Sequence, residues 1–389
     1  MKKRLSLFLL TCLLLPLGVC ACSDKPETPV PPETLTIAGE DISKFTIVYT
    51  PAYSEEFLAE FEDFLGYDFE HNLETANELQ KLLKETFGVT LPVVKAGTET
   101  DGHEILVGVR KEDALADDAY AIRAEGKKLI VTGGSYGAVY HALDAFKKAF
   151  AETTVADMVW EDGFLLSGRA SMKRIACIGD SLTEGSIGGH VTPELAYPAA
   201  LQRFLWRDYN VYNYGLGGTS LINSSANPYM SSRQYNDCLT SGMQYDLILV
   251  MLGTNDSKVV GDTWTDAANT EFMSCAKTLF ASLKEKSPEA RFAYMNCPVK
   301  FTEAGYANAY MLPVQKEAAT LLAKEGYDIT HYDMRAYTTE VLTKDNFPKD
   351  GLHPNYDGYY KIAEGVCDLV YHLAEGDEND ALDYIIPLE

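Results

Sequence analysis

Residues 174–185, "RIACIGDSLTEG", join an apolar run to a glycine, an aspartate and a serine. Ile175 to Ile178 form an apolar run of the kind found in a strand buried on both faces. The run stops abruptly at Gly179-Asp180-Ser181, which sets a serine hydroxyl at the lip of a sheet. On these residues alone, Ser181 is either a nucleophile or the cap of the helix that follows.

Outward from this stretch, strands and helices alternate. "NVYNYG" (210–215), "YDLILVMLG" (245–253), "RFAYMNC" (291–297) and "YDITHYD" (327–333) read as further strands. Helices are expected near 194–207, 265–287, 308–325 and 356–374. Alternation at this spacing implies right-handed βαβ units and a parallel sheet covered on both faces, so residues 166–375 are expected to be an α/β unit.

Residues 35–165 read as a smaller α/β unit. "FTIVY" (45–49) is a strand, 72–88 a helix stopped by Gly88, and "YAIRAEGKKLIVTGG" a pair of strands turning at Glu125-Gly126. A second helix is expected over 135–150. The order of these elements and the run "LIVTGGSYGAVYHALDAF" (129–146) resemble the small domain that precedes the barrel in hexosaminidases and related glycoside hydrolases. That resemblance implies a carbohydrate setting and assigns no chemistry.

The N-terminus has a basic start (Lys2, Lys3, Arg4), an apolar stretch from Leu5 to Val19, and then Cys20-Ala21-Cys22. The apolar stretch is too short for a lasting transmembrane helix. The pattern resembles a bacterial lipoprotein signal, which implies a signal peptide over 1–22, lipidation of Cys22 and an extracytoplasmic, membrane-anchored protein. Residues 23–34, with Pro26, Pro29, Pro31 and Pro32, read as an extended tether. Residues 376–389 read as an acidic tail with an apolar end able to dock.

The chain of 389 residues carries a formal net charge of -24, from 33 basic and 57 acidic residues. Such a surface repels phosphate backbones, so nucleic acid is not an expected partner. Of the eight cysteines, Cys177, Cys238, Cys275, Cys297 and Cys367 lie beyond the signal, with no C-x-x-C spacing. No zinc site, disulfide framework or phosphate loop is legible, so no cofactor is expected and activity should be indifferent to chelators.

In an open α/β sheet, ligands bind beyond the carboxyl ends of the strands. The first of these ends carries Gly179-Asp180-Ser181, the second "NYGLGGTS" (213–220), the third "GTND" (253–256). "KDGLHPN" (349–355) precedes the last helix. These pieces suit acyl transfer. A serine needs a base to take its proton, and His353 can be that base. Asp350, three residues earlier, can hold the other imidazole nitrogen. The backbone N–H of Ser181, that of a glycine in the second block and the Asn255 amide can serve as oxyanion donors, with Gly217 and Gly218 both open for the glycine.

GDS-x-T-x-G, N-x-G-x-x-G, G-x-N-D and D-x-x-H occur in this order, and together they resemble the blocks of the SGNH (GDSL-type) hydrolases. The resemblance covers about 200 residues. It implies a three-layer flavodoxin-like fold and an esterase with Ser181 as nucleophile and His353 and Asp350 completing the triad. It also implies an oxyanion hole of Ser181, Gly218 and Asn255, and turn-shaping roles for Asp180 and Asp256. Taken singly, each motif reads more simply as a cap, turn or loop corner; their order at successive strand ends is what favours a site.

Two patterns compete for attention. "GGSYG" (133–137) matches a nucleophile elbow, but a glycine turn explains it better. His190, on the loop past Ser181, is a candidate substrate contact, while His331 reads as structural. The insert "LINSSANPYMSSRQYND" (221–237) offers Asn, Ser, Tyr and Arg suited to hydrogen-bonding and stacking on a sugar, and no apolar run for a long acyl chain. The expected activity is removal of small acyl groups, acetyl first, from carbohydrate. The rivals are a lipase or thioesterase of the same family, selected by preference for long acyl chains, and a non-catalytic glycan-binding surface lipoprotein.

Overall fold

The computed structural model describes residues 34–52, 54, 56, 70–152, 157–260, 263–302 and 308–388. The expected signal, Cys22 and nearly all of the tether lie outside the described residues; Thr34 already opens the first strand. No helix among the described residues is long and apolar enough to cross a membrane.

Strand Lys173–Gly179 is the heart of the second unit. It pairs in parallel with Tyr209–Gly215 on one side and Leu247–Met251 on the other, and Arg291–Met295 and Ile329–Tyr332 continue the parallel sheet. The strand order places the opening stretch between the strands that follow it in sequence, and the switch in direction creates a crevice at their carboxyl ends. The apolar run divides by alternation. Ile175, Cys177, Leu247, Leu249 and Met251 pack under helices Tyr197–Phe204 and Tyr356–Glu375. Ala176, Ile178, Ile248 and Val250 pack under Asp266–Lys286 and Asn308–Lys324. Both faces are thus covered, giving the expected three layers. Helices Arg233–Thr240, Thr254–Val260 and Met334–Val341 add to the expected set. The acidic tail docks: its apolar Ile385–Ile386 pairs antiparallel with Ile329–Tyr332 as the sheet's edge.

The first unit has its own sheet, in the order Val93–Lys95, Thr46–Tyr49, Glu104–Val107, Lys128–Gly133, Ala119–Glu125 and Leu165–Arg169. Helices His71–Phe87 and Tyr136–Glu152 share its core. Its last strand runs to Arg169, so the second unit's first strand follows almost at once.

The two units are closely docked. A Cβ at Gly137 would stand 2.5 Å from the Trp206 carbonyl oxygen and 2.6 Å from that of Arg207, so only glycine allows this approach. Beside it the Trp206 ring stacks on His71, and Arg174 reaches Asp117 and Asp118. The "GGSYG" serine is accounted for here. Ser135 Oγ donates to the Asp117 carbonyl at 2.7 Å and accepts from the Ala138 N–H at 3.2 Å, which makes it a helix cap.

Candidate active site

Ser181 opens a helix of four residues, Ser181–Glu184, that begins where the central strand ends. Asp180 caps it, its Oδ1 accepting the Leu182 N–H at 3.0 Å. The turn folds tightly back on the sheet. A Cβ at Gly179 would lie 2.0 Å from Thr183 Oγ1, and one at Gly215, on the neighbouring strand, 2.2 Å from the Glu184 nitrogen. Bare glycines at two strand ends therefore let the serine stand at the crevice.

Asp350 and His353 arrive on the loop before the last helix. The backbone N–H groups of Leu352 and His353 both donate to Asp350 Oδ1 at 2.9 Å. Asp350 Oδ2 is 2.6 Å from His353 Nδ1, and His353 Nε2 is 2.8 Å from Ser181 Oγ. Partial burial pushes the Asp350 carboxyl up, but the His353 backbone N–H, its ring and the Leu352 N–H together hold it below its usual range. An ionised Asp350 accepts from Nδ1–H, which leaves Nε2 the acceptor for the serine proton. Gly351, at φ +70°, bends the loop where a Cβ would be 2.6 Å from the Phe301 carbonyl oxygen.

The glycine block meets the serine turn from the other side. Gly217 N–H donates to Glu184 Oε2 at 2.8 Å. Gly218, at φ +73°, has no protein partner for its N–H among the described residues. Asn255 Nδ2 donates to the Thr219 carbonyl at 2.9 Å and makes a long 3.4 Å contact with Asp180 Oδ2. Of the two glycines left open by the sequence, Gly218 is the one with a free donor.

Asp180 and Asp256 are fully buried. Burial pushes Asp180 up to about 7 and Asp256 up to about 6. Both carboxyls hold backbone: Asp256 accepts from the Leu221 and Ile222 N–H groups at 2.9 and 2.8 Å.

His190 is exposed on a short hairpin, Ser186–Ile187 with His190–Val191, and its ring bonds none of Ser181, Asp350 or His353 among the described residues. The hairpin does lie against the Asp350 loop, since Lys349 Nζ donates to the Gly188 carbonyl. His331 is buried in its strand, where burial lowers its ring to about 4.

The insert 221–237 corrects an expectation. Tyr229 is fully buried, its hydroxyl donating to the Tyr214 carbonyl at 2.7 Å, and the Tyr235 hydroxyl is held by Ser282 at 2.8 Å. These tyrosines pack on the core and offer no sugar platform. Exposed Asn227 is better placed, with its Nδ2 3.7 Å from the position of a Gly218 Cβ. A cavity of about 430 Å³ is lined by Lys173, Arg174, Tyr209, Asp246, Leu247 and Arg291. These residues begin their strands or lie just before them, so the cavity opens at the end of the sheet opposite Ser181.

Sequence reasoning missed Glu184 and Tyr359. The Tyr359 hydroxyl donates to the Ser186 carbonyl at 3.0 Å, behind the serine turn. Glu184 sat inside the quoted stretch, but its partner, Gly217, is distant in sequence and nothing local signals the pair.

Residues 177–361 match the model of the GDSL-like lipase/acylhydrolase family. They form a GDSL-like lipase/acylhydrolase domain. Over 215 residues the chain is 28% identical to an acetylxylan esterase of Xylanibacter ruminicola, covering 51% of this chain and 43% of that protein. The chain thus spans less than half the length of this relative. Among solved structures, a carbohydrate acetylesterase family member from Sinorhizobium meliloti is 22% identical with a TM-score of 0.40, over 52% of this chain and 100% of that one. A family two carbohydrate esterase from Clostridium thermocellum, in complex with cellohexaose, is 17% identical with a TM-score of 0.41, over 55% and 68%. The GDSL-like domain ends within the last helix and begins at Cys177, inside the central strand.

Proposed function

We propose that this chain is a serine esterase that removes small acyl groups, acetyl first, from carbohydrate. The observation that carries the reading is the single imidazole of His353, 2.8 Å from Ser181 Oγ and 2.6 Å from Asp350 Oδ2. The similarity to an acetylxylan esterase supports the substrate class.

In this reading His353 Nε2 takes the Ser181 proton as Oγ attacks the ester carbonyl carbon. Asp350 stabilises the imidazolium that forms. The carbonyl oxygen becomes an oxyanion held by the N–H groups of Ser181 and Gly218 and by Asn255 Nδ2, whose weaker contact to Asp180 is the one released. His353 then returns the proton to the leaving sugar hydroxyl. Water, deprotonated by the same nitrogen, attacks the acyl-serine and releases the carboxylic acid. Each preorganised donor is worth roughly 10²–10³ in rate. The reading further takes Cys22 as the lipidated residue that anchors the enzyme outside the cytoplasm.

The test is hydrolysis of p-nitrophenyl acetate, butyrate and octanoate, and of acetylated xylan, by wild type and Ser181→Ala. Preference for acetate, acetate release from the glycan and loss of both in the variant are expected. Undiminished turnover by Ser181→Ala refutes the mechanism, and preference for octanoate refutes the substrate class.

A further inference from the structure

We infer that Glu184 is a positioning residue for the oxyanion hole: its carboxyl group holds the Leu216–Gly217 peptide, and so sets the start of the next peptide, which carries the Gly218 N–H. This inference rests on the esterase reading above.

The glycine block is tied to the serine turn at three points. Asn213 Nδ2 donates to the Thr183 carbonyl at 2.8 Å, the Leu216 N–H to the Gly179 carbonyl at 3.0 Å, and the Gly217 N–H to Glu184 Oε2 at 2.8 Å. The first two involve backbone at the strand ends. The third is the last tie before Gly218, and it alone depends on a removable side chain close to the donor. Downstream, the next restraints are on Thr219, whose hydroxyl donates to the Leu216 carbonyl at 2.7 Å and whose carbonyl accepts from Asn255 at 2.9 Å. Gly218 makes no bond of its own among the described residues, and its left-handed φ of +73° is held only by its neighbours.

The fit around Glu184 is close. A Cβ at Gly217 would lie 2.6 Å from Glu184 Oε2 and 3.6 Å from Ser181 Cβ. Carboxyl, glycine and nucleophile are thus immediate neighbours, and a side chain at 217 would displace the Glu184 carboxyl. Without the carboxyl, the Gly217 N–H loses its acceptor, the Leu216–Gly217 peptide keeps only the Thr219 hydroxyl on its carbonyl, and the next peptide, which carries the Gly218 N–H, is held less firmly. A donor misplaced by about 1 Å can lose on the order of 10²-fold in rate. The acceptor, not the charge, is what the geometry uses, so a glutamine, whose side-chain oxygen also accepts, replaces it. An aspartate, one methylene shorter, falls short.

The experiment measures kcat and KM on p-nitrophenyl acetate for wild type, Glu184→Gln, Glu184→Ala and Glu184→Asp. Amide hydrogen exchange of the segment 214–220 is followed in parallel. Glu184→Ala and Glu184→Asp are expected to lower kcat about 10- to 100-fold with KM within about threefold, while Glu184→Gln stays within about threefold of wild type in both. Exchange of the segment should quicken in Ala and Asp and not in Gln. Equal loss in Gln and Ala overturns the inference in favour of a charge effect. So does an unchanged kcat in Ala, or exchange of the segment that is no faster in Ala and Asp than in wild type. If Ala does not fold, the contrast between Gln and Asp decides alone. An inactive wild type overturns the esterase reading itself, whereas an active wild type with indifferent Glu184 variants overturns only this inference.

Discussion

Replacing Asp350 by asparagine probes the triad most sharply, because the backbone dictates how the amide must sit. Asp350 Oδ1 accepts two backbone N–H groups at 2.9 Å, and Oδ2 faces His353 Nδ1 at 2.6 Å. An asparagine can satisfy the two backbone donors only by placing its oxygen there, which turns its NH₂ toward the ring. Nδ1 must then become an acceptor, so the proton moves to Nε2. A protonated Nε2 cannot take the Ser181 proton across 2.8 Å. The opposite amide orientation sets NH₂ against both backbone donors and gains nothing. The wrong tautomer in such triads lowers kcat by about 10⁴, which corresponds to roughly 5 kcal/mol of transition-state stabilisation. Steady-state rates on p-nitrophenyl acetate should show this loss with KM within about threefold, and circular dichroism should be unchanged. An Asp350→Asn enzyme whose kcat stays within tenfold of wild type would sink the tautomer argument.

Other outcomes follow from the same geometry. In the proposed mechanism the Asn255 amide donates to the developing charge rather than to the ester, so Asn255→Ala should lower kcat by about 10²–10³ with little change in KM; a purely KM-based loss would contradict this. Gly137→Ala should destabilise the chain by about 1–3 kcal/mol, because the new Cβ meets backbone carbonyl oxygens at 2.5 and 2.6 Å; urea denaturation measures it, and an unaltered midpoint would refute the close docking of the units. His331→Leu addresses pH. Burial lowers this ring to about 4 from an ordinary 6.5, and both ring nitrogens lack a partner among the described residues. A histidine lowered in this way contributes stability present above pH 6.5 and lost as pH falls toward 4. The leucine variant should therefore lose up to ~3 kcal/mol less between pH 7 and 4, at about 1.4 kcal/mol per unit. Thermal melts at both pH values check it, and parallel curves for the two proteins would refute it.

Five consecutive strands and their covering helices announced themselves because a sheet buried on both faces needs unbroken apolar runs such as Ile175–Ile178 and Leu247–Met251. Ser181, Asn255, Asp350 and His353 were legible as candidates, with Gly217 and Gly218 both open, because in this fold the carboxyl ends of successive strands must meet at one crevice. Their sequence order therefore carried spatial information. The helices Arg233–Thr240, Thr254–Val260 and Met334–Val341 were not, being short pieces whose apolar spacing is too brief to show a period.

Local chemistry and layer are written in the residues: which runs are strands, which serine ends one, and that His353 follows Asp350 at a reach of three residues. Contacts across distance came from the folded chain. It chose between Gly217 and Gly218, because the Glu184 carboxyl takes the first N–H and leaves the second free. It withdrew Tyr229 and Tyr235 from the sugar surface by burying one and tying the other to Ser282. It explained Gly137 by the carbonyls of a neighbouring unit. The physical reason is common to all three: composition and period report how a residue meets its own element, whereas a hydrogen-bond acceptor or a steric limit supplied from dozens of residues away leaves no local trace.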